Sequence, residues 1–253
     1  MTGRTMDTMI SQSIVLGVGA VEAMRELGYE VSLFHLNESH AVMTPLYLLY
    51  LALKKGNGLE EAIASVRKRV VFTNHTPVDA GNPKYDIGAI LALSGFHPVV
   101  NRKIMHRLGG GDEWFDATLA CLRLAKAVNA VSERHLQICK DRWSDLPETA
   151  PWSAVTNGVT SSFWQPDEWQ RVMSPRVIEE LKAEYKLRMR YYILGRTDKD
   201  LDNKRLTIGW FRRFTEYKRP KLLFRYFDWL VDHLEKGDFQ LIIGGKPHPD
   251  EDV

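Results

Sequence analysis

Apolar residues recur at Ile14, Val15, Val18, Val21 and Met24, and Gly28 closes the run in "ELGYE". That spacing predicts an amphipathic helix ending in a left-handed glycine cap. The period then changes. "VSLFHLN" and "VVFTNHT" are short and apolar, as buried strands are, and the second turns polar at Asn74 and His75. Between them, "LYLLYLALKKG" predicts an interior helix closing at Gly56, and "LEEAIASVRKR" a shorter amphipathic helix. The Pro- and Gly-containing loop "TPVDAGNPKYD" leads into helical stretches through about Ala125. "AVNAVS" predicts a strand, with Ser132 placed to cap the helix "ERHLQICKDRW". Strands alternating with helices in this way predict an α/β layer on a mainly parallel sheet.

Residues 169–204 break the rhythm. They are charged and helical throughout, as a linking pair of helices between domains would be. A new unit opens at "RLTIGWF", where strand 206–211, helix 219–234 and strand 239–245 predict one right-handed βαβ. One βαβ cannot bury both faces of its strands, so a domain is begun there and not finished. The expected division is 1–200 and 206–253.

Composition narrows the function classes. The chain has 253 residues, 44% hydrophobic and 26% charged, enough for a real core. Its net charge of +2 demands neither a nucleic acid nor a membrane surface as partner. The N-terminus has no basic region leading into an apolar core, and no stretch approaches the roughly 20 apolar residues that span a bilayer. Cys121 and Cys139 do not make a disulfide framework. A soluble protein in a reducing, cytoplasmic setting is expected.

Ligands of parallel α/β sheets bind where strands end. Four polar clusters fall at such places: "NESH" 37–40, "NHT" 74–76, "TNG" 156–158 and "RRFTEYK" 212–218. The last has two readings. Arg213 as a planar fork and Lys218 as a point charge could grip an oxyanion beside a helix N-terminus. Alternatively the segment is a solvated helix start, with Glu216 partly neutralising it. "GGKPHP" 244–249 ends the next strand, as a turn or as a close backbone approach, and it is not a P-loop. His40 and His75 could be satisfied structural residues. With Glu38, Asn37 and Asn74 they could equally read sugar hydroxyls. No metal-ligand spacing accompanies them. Trp152, Trp164 and Trp169 could stack on sugars or pack in a core.

Taken together the clusters resemble the α-glucan phosphorylases. "HLNESHA" looks like that family's L-N-[DE]-x-H segment and "VFTNHTPVDAG" its T-x-H-T segment. "VTNGVTSSFW" is similar to T-N-G-[IV]-T, "RRFTEYKR" to [KR]-R-x-x-x-Y-K-R, and "GGKPHPDE" to G-G-K-A, all in order. The resemblance implies two Rossmann-like domains facing a cleft (glycosyltransferase B architecture), the second one incomplete here. It also implies pyridoxal phosphate as cofactor. The implied reaction is reversible transfer of glucosyl from an α-1,4-glucan to orthophosphate, giving glucose 1-phosphate, in a homo-oligomer. Arg213 and Lys218 match positions that bind substrate phosphate and pair with the cofactor phosphate, and Tyr217 lies at the same wall. His75 and Asn157 match sugar-hydroxyl contacts, and Glu38 and His40 match the acidic loop on the glucan side.

Two departures stand out. Thr215 occupies a position where long phosphorylases carry histidine, and the glycine-rich segment that precedes "QSIVLGVG" in the family is missing. The resemblance also puts the lysine that carries the cofactor beyond the equivalent of Val253, so the chain is expected to be an internal piece, inactive alone. A nucleotide-sugar glycosyltransferase of the same architecture, or a non-catalytic glucan-binding fragment, is the alternative.

Overall fold

The computed structural model describes residues 5–171 and 174–246, leaving aside the side chain of Ala80. The tail of "GGKPHP" lies outside the described residues. The chain forms two compact units, one ending at Gly158 and the other beginning at Val159.

The first unit is a parallel sheet wrapped by helices. Helices α1 (Met6–Ile14) and α2 (Ala20–Glu26) join through a π-helical turn at Val15–Gly19, so the apolar period runs through one long segment. Gly28 adopts φ 78° past its end. Strand β1 (Phe34–Asn37) leads to α3 (Met43–Lys54), α4 (Leu59–Arg67) and β2 (Val70–Asn74). A small antiparallel pair, β3 (Lys84–Asp86) and β4 (Trp114–Asp116), brackets α5 (Ile87–Ser94) and α6 (Arg102–Gly109). Then come α7 (Ala117–Leu124), β5 (Ala127–Ala130), α8 (Glu133–Trp143) and β6 (Trp152–Ala154). The sheet order is β1-β2-β5-β6, every neighbour parallel.

The core of this unit is continuous. Leu36, Leu46, Leu49, Val70, Phe72, Tyr85, Phe115 and Val128 are all buried in it. Each large apolar side chain removed from water contributes about 1.5–3 kcal/mol. Caps fix the helix entries: Ser132 Oγ accepts from His135 N at 3.1 Å, and Asp86, Asn101 and Asp116 do the same for α5, α6 and α7. Val15 and Met24 lie on the expected apolar stripe yet are exposed, while Ile10 and Val21 carry the contact.

The second unit differs from the expectation in two places. Residues 169–204 hold one long helix, α11 (Pro175–Thr197), preceded by the short turns α9 (Ser161–Trp164) and α10 (Asp167–Gln170), and not a helix pair. The helix continues because its interior lacks glycine and proline until Gly195, and Ser174 caps it. It groups with the second unit: Lys186 Nζ donates to Arg205 O at 2.5 Å, and Arg190 pairs with Asp200. Strands β7 (Leu206–Phe211) and β8 (Phe239–Gly244) pair in parallel as their own sheet. The helix between them, α12 (Phe227–Lys236), starts eight residues later than the pattern suggested. Pro220 disfavours helical geometry in the residue before it, and Arg219 takes φ 54°. Two 3-10 turns, Glu216–Lys218 and Pro220–Phe224, fill the gap.

Candidate functional site

Because the four strands of the first unit are parallel, their C-terminal ends share one edge, and the polar clusters collect there. Glu38 follows β1 directly. Its N–H continues the ladder by donating to Thr73 O at 3.0 Å. Its backbone sits at φ 68°, ψ 166°, a region that side-chain-bearing residues adopt only under strain. The strain turns the carboxylate toward the next strand end, where Oε1 accepts the His75 N–H at 2.7 Å. The other oxygen, Oε2, is buried and has no protein partner among the described residues. Asn157 reaches the same edge through its N–H, which donates to Val131 O at 3.3 Å just past β5.

The structure therefore brings Glu38, His75 and Asn157 to one sheet edge from three separate segments. His40 is nearby but differently placed. It lies in the 3-10 turn Ser39–Ala41 with an exposed side chain, and its carbonyl accepts the Ser13 hydroxyl at 2.6 Å.

Behind this edge lies a polar layer that the sequence pattern did not single out. His35 Nε2 and Thr73 Oγ1 are 2.7 Å apart, and the Thr73 hydroxyl donates to Asn129 Oδ1 at 2.6 Å, linking β1, β2 and β5. Deeper still, Cys139 of α8 touches Asn74, and His135, one turn earlier on the same helix, touches Cys139. Burial, and then the nearby His75, depress the pKa of His135. Polar residues inside apolar strands, and a His and Cys one helical turn apart, were the signals available.

In the second unit the basic segment lies at the C-terminal end of β7. Arg212 N–H donates to Gly244 O at 3.1 Å and Phe214 N–H to Lys246 O at 3.0 Å, so the segment runs on beside the end of β8. A groove of about 550 Å³ is lined by Trp210, Arg212, Tyr217, Lys218, Arg219 and Leu222. Lys218 Nζ lies 4.7 Å from the centre of the Tyr217 ring. Arg213 is exposed beside this groove and does not line it; Arg212 does. Among the described residues, none of Arg212, Arg213, Lys218 and Arg219 makes an ion pair. Thr215 is buried, and its hydroxyl oxygen has no partner among the described residues. The helix N-terminus expected to add backbone donors here belongs to α12 and begins only at Phe227.

The three tryptophans separate. Trp152 stacks on Trp143 at 5.7 Å and packs against the core, Trp164 is exposed, and Trp169 meets Tyr185 edge-on.

Comparison with known proteins adds to this geometry. No protein-family model matches the chain. An uncharacterized protein of Methanocaldococcus jannaschii is 35% identical across 96% of this chain and 45% of its own length. The glycogen phosphorylase of Aquifex aeolicus is 31% identical across 96% of this chain and 43% of itself. The maltodextrin phosphorylase of Thermococcus litoralis is 28% identical across 98% of this chain and 35% of itself. Over nearly its whole length this chain is similar to glycogen and maltodextrin phosphorylases. It spans 35–45% of the length of these three relatives. The chain holds both strand-end clusters, one in each compact unit.

Proposed function

We propose that this chain carries the sugar-side edge and part of the phosphate side of an α-glucan phosphorylase, one on each of two Rossmann-like domains. The enzyme would transfer glucosyl from the non-reducing end of an α-1,4-glucan to orthophosphate, releasing glucose 1-phosphate. The observation that carries this reading is the convergence of Glu38, His75 and Asn157 at one parallel-sheet edge. An amide, an imidazole and backbone groups converging at strand ends suit a ring of hydroxyls.

On the other unit, the residues present fit a phosphate group. Arg212, Lys218 and Arg219 line one groove without acidic partners among the described residues, and the buried Thr215 hydroxyl nearby is unsatisfied. Such cations are available for charge-assisted bonds to phosphate oxygens. Lys218 and Tyr217 both line that groove, and Arg213, which the resemblance matches to a phosphate contact, is exposed and does not line it. Pyridoxal phosphate, when bound, would supply through its own phosphate a proton donor and acceptor toward orthophosphate. The cations would offset the repulsion between two anions brought close together, which is several-fold stronger away from bulk water. On the sugar side, Asn157 and His75 would hold the glucosyl hydroxyls, with Glu38 and His40 lining the glucan approach.

The test is an assay of the polypeptide that contains this chain, with maltoheptaose, inorganic phosphate and pyridoxal phosphate. Glucose 1-phosphate formation that requires all three supports the reading. Glucosyl transfer from a nucleotide-sugar that ignores phosphate overturns it.

A further inference from the structure

Beneath the loop that carries His75 runs a file of hydrogen bonds that the sugar-side reading does not use. It begins at the backbone past β5, where Val131 N–H donates to His135 Nδ1 at 3.2 Å. That bond makes Nδ1 an acceptor, so the neutral ring carries its proton on Nε2. Nε2 lies 3.3 Å from Cys139 Sγ, one helical turn further along α8. Cys139 Sγ in turn lies 3.7 Å from Asn74 Oδ1. The thiol keeps its own proton, because burial and then the Glu38 carboxylate push its pKa up to about 12.

With those protons in place the direction of every bond follows. Val131 N–H donates to His135, His135 Nε2–H to Cys139, and Cys139 S–H to Asn74 Oδ1. The file ends on the residue immediately before His75. Asn74 is fully buried, and its remaining group, Nδ2, is buried without a partner among the described residues. From the other side the Glu38 carboxylate holds the N–H of His75 itself. The end of β2 is thus gripped twice, by a carboxylate on the backbone and by a thiol on the neighbouring amide.

We propose that His135 and Cys139 are positioning residues: they orient the Asn74 amide and so fix the strand end from which His75 projects. The proposal deepens the sugar-side reading of His75 and rests on it for its functional meaning. Packing alone would need only the volume of the thiol. Positioning needs a side chain that both accepts from His135 and donates to Asn74, and a hydroxyl can do both whereas a hydrocarbon can do neither.

Cys139→Ser and Cys139→Val separate the two. Hydrogen exchange is followed at the His75 amide in the full 253-residue chain, together with the urea midpoint and binding of maltoheptaose. Positioning predicts that Cys139→Val speeds exchange at His75 by about tenfold relative to the bulk of the core, while Cys139→Ser stays near wild type. Maltoheptaose affinity should fall in the Val variant and be rescued by Ser. Equal exchange in Val and wild type, or Ser loosening the loop as much as Val, overturns the proposal. If the wild-type chain does not bind maltoheptaose, the sugar-side reading is what fails, and the exchange comparison still decides whether the file positions the loop.

Discussion

The Glu38 carboxylate and the His75 backbone N–H meet at 2.7 Å across the ends of two parallel strands, and Glu38 holds a left-handed backbone to make that contact. A charge-assisted bond to a backbone donor contributes about 1.5–3 kcal/mol, and the backbone strain costs about 1–3 kcal/mol. The two nearly cancel. Stability alone gives little reason for a glutamate there, and the placement of His75 gives a direct one.

Replacement of Glu38 separates these terms. Glu38→Ala and Glu38→Gly both lose the carboxylate, but only glycine adopts φ 68° without a Cβ penalty. Glu38→Gly is expected to be more stable than Glu38→Ala by about 1 kcal/mol in urea denaturation, after the entropy cost of glycine is deducted. Both variants should exchange the His75 amide faster than wild type. Equal urea midpoints for the two would show that the backbone strain at Glu38 is no larger than the entropy cost of glycine.

Acid should weaken the first unit through His135. Burial lowers its folded pKa below the ordinary value of 6.5, so in mild acid the unfolded chain takes up a proton that the folded ring refuses. Its contribution is therefore complete above about pH 6.5 and is lost as pH falls toward the lowered folded value. His75 reinforces the depression, and the charges of Glu38 and Arg142 act on the neighbouring Cys139. His135→Gln should flatten the stability profile below about pH 6.5. A profile of unchanged slope in that variant would assign the acid sensitivity elsewhere.

Much of the sheet edge was legible in the sequence because strands and their polar ends are local. "FHLNE" and "TNHT" carry both the apolar run and its termination, and Ser132 announces the helix it caps. What was not legible depends on backbone detail. Pro220 together with a left-handed Arg219 delays α12, which removes the helix N-terminus from the basic segment. The exchange of Arg212 for Arg213 as the groove-lining arginine follows from strand alternation continuing past β7, a one-residue parity that motif matching ignores. The file from Val131 to Asn74 crosses 65 residues of sequence in its step from Cys139 to Asn74, and no periodicity reports that.

Gly17 tests the packing of the π-helical turn. A Cβ there would fall 2.5 Å from Thr44 N and 2.7 Å from the Met43 backbone carbon, both at the start of α3. Neither is a flexible side-chain end, so the helices would have to separate. Gly17→Ala should cost about 1–3 kcal/mol by overpacking, although alanine is the better helix former. A variant as stable as wild type in urea would mean that α3 is not held this close.

The basic segment makes the sharpest prediction for the second unit. Lys218 is half-buried beside Tyr217, has no acidic partner among the described residues, and lines a groove with Arg212 and Arg219. Cations gathered without counter-ions repel one another, so an anion entering the groove relieves repulsion as well as gaining bonds. Inorganic phosphate should bind the chain, and its affinity should weaken as salt is raised, since these charges are only partly buried. Lys218→Ala should reduce phosphate affinity by about tenfold, equivalent to about 1.4 kcal/mol. Because Arg213 lies outside the groove, Arg213→Ala should reduce it less than Arg212→Ala does in the isolated chain. Isothermal titration with phosphate at two salt concentrations reads all three variants. Phosphate binding that is indifferent to Lys218 and to salt would favour the alternative, that the segment is merely solvated.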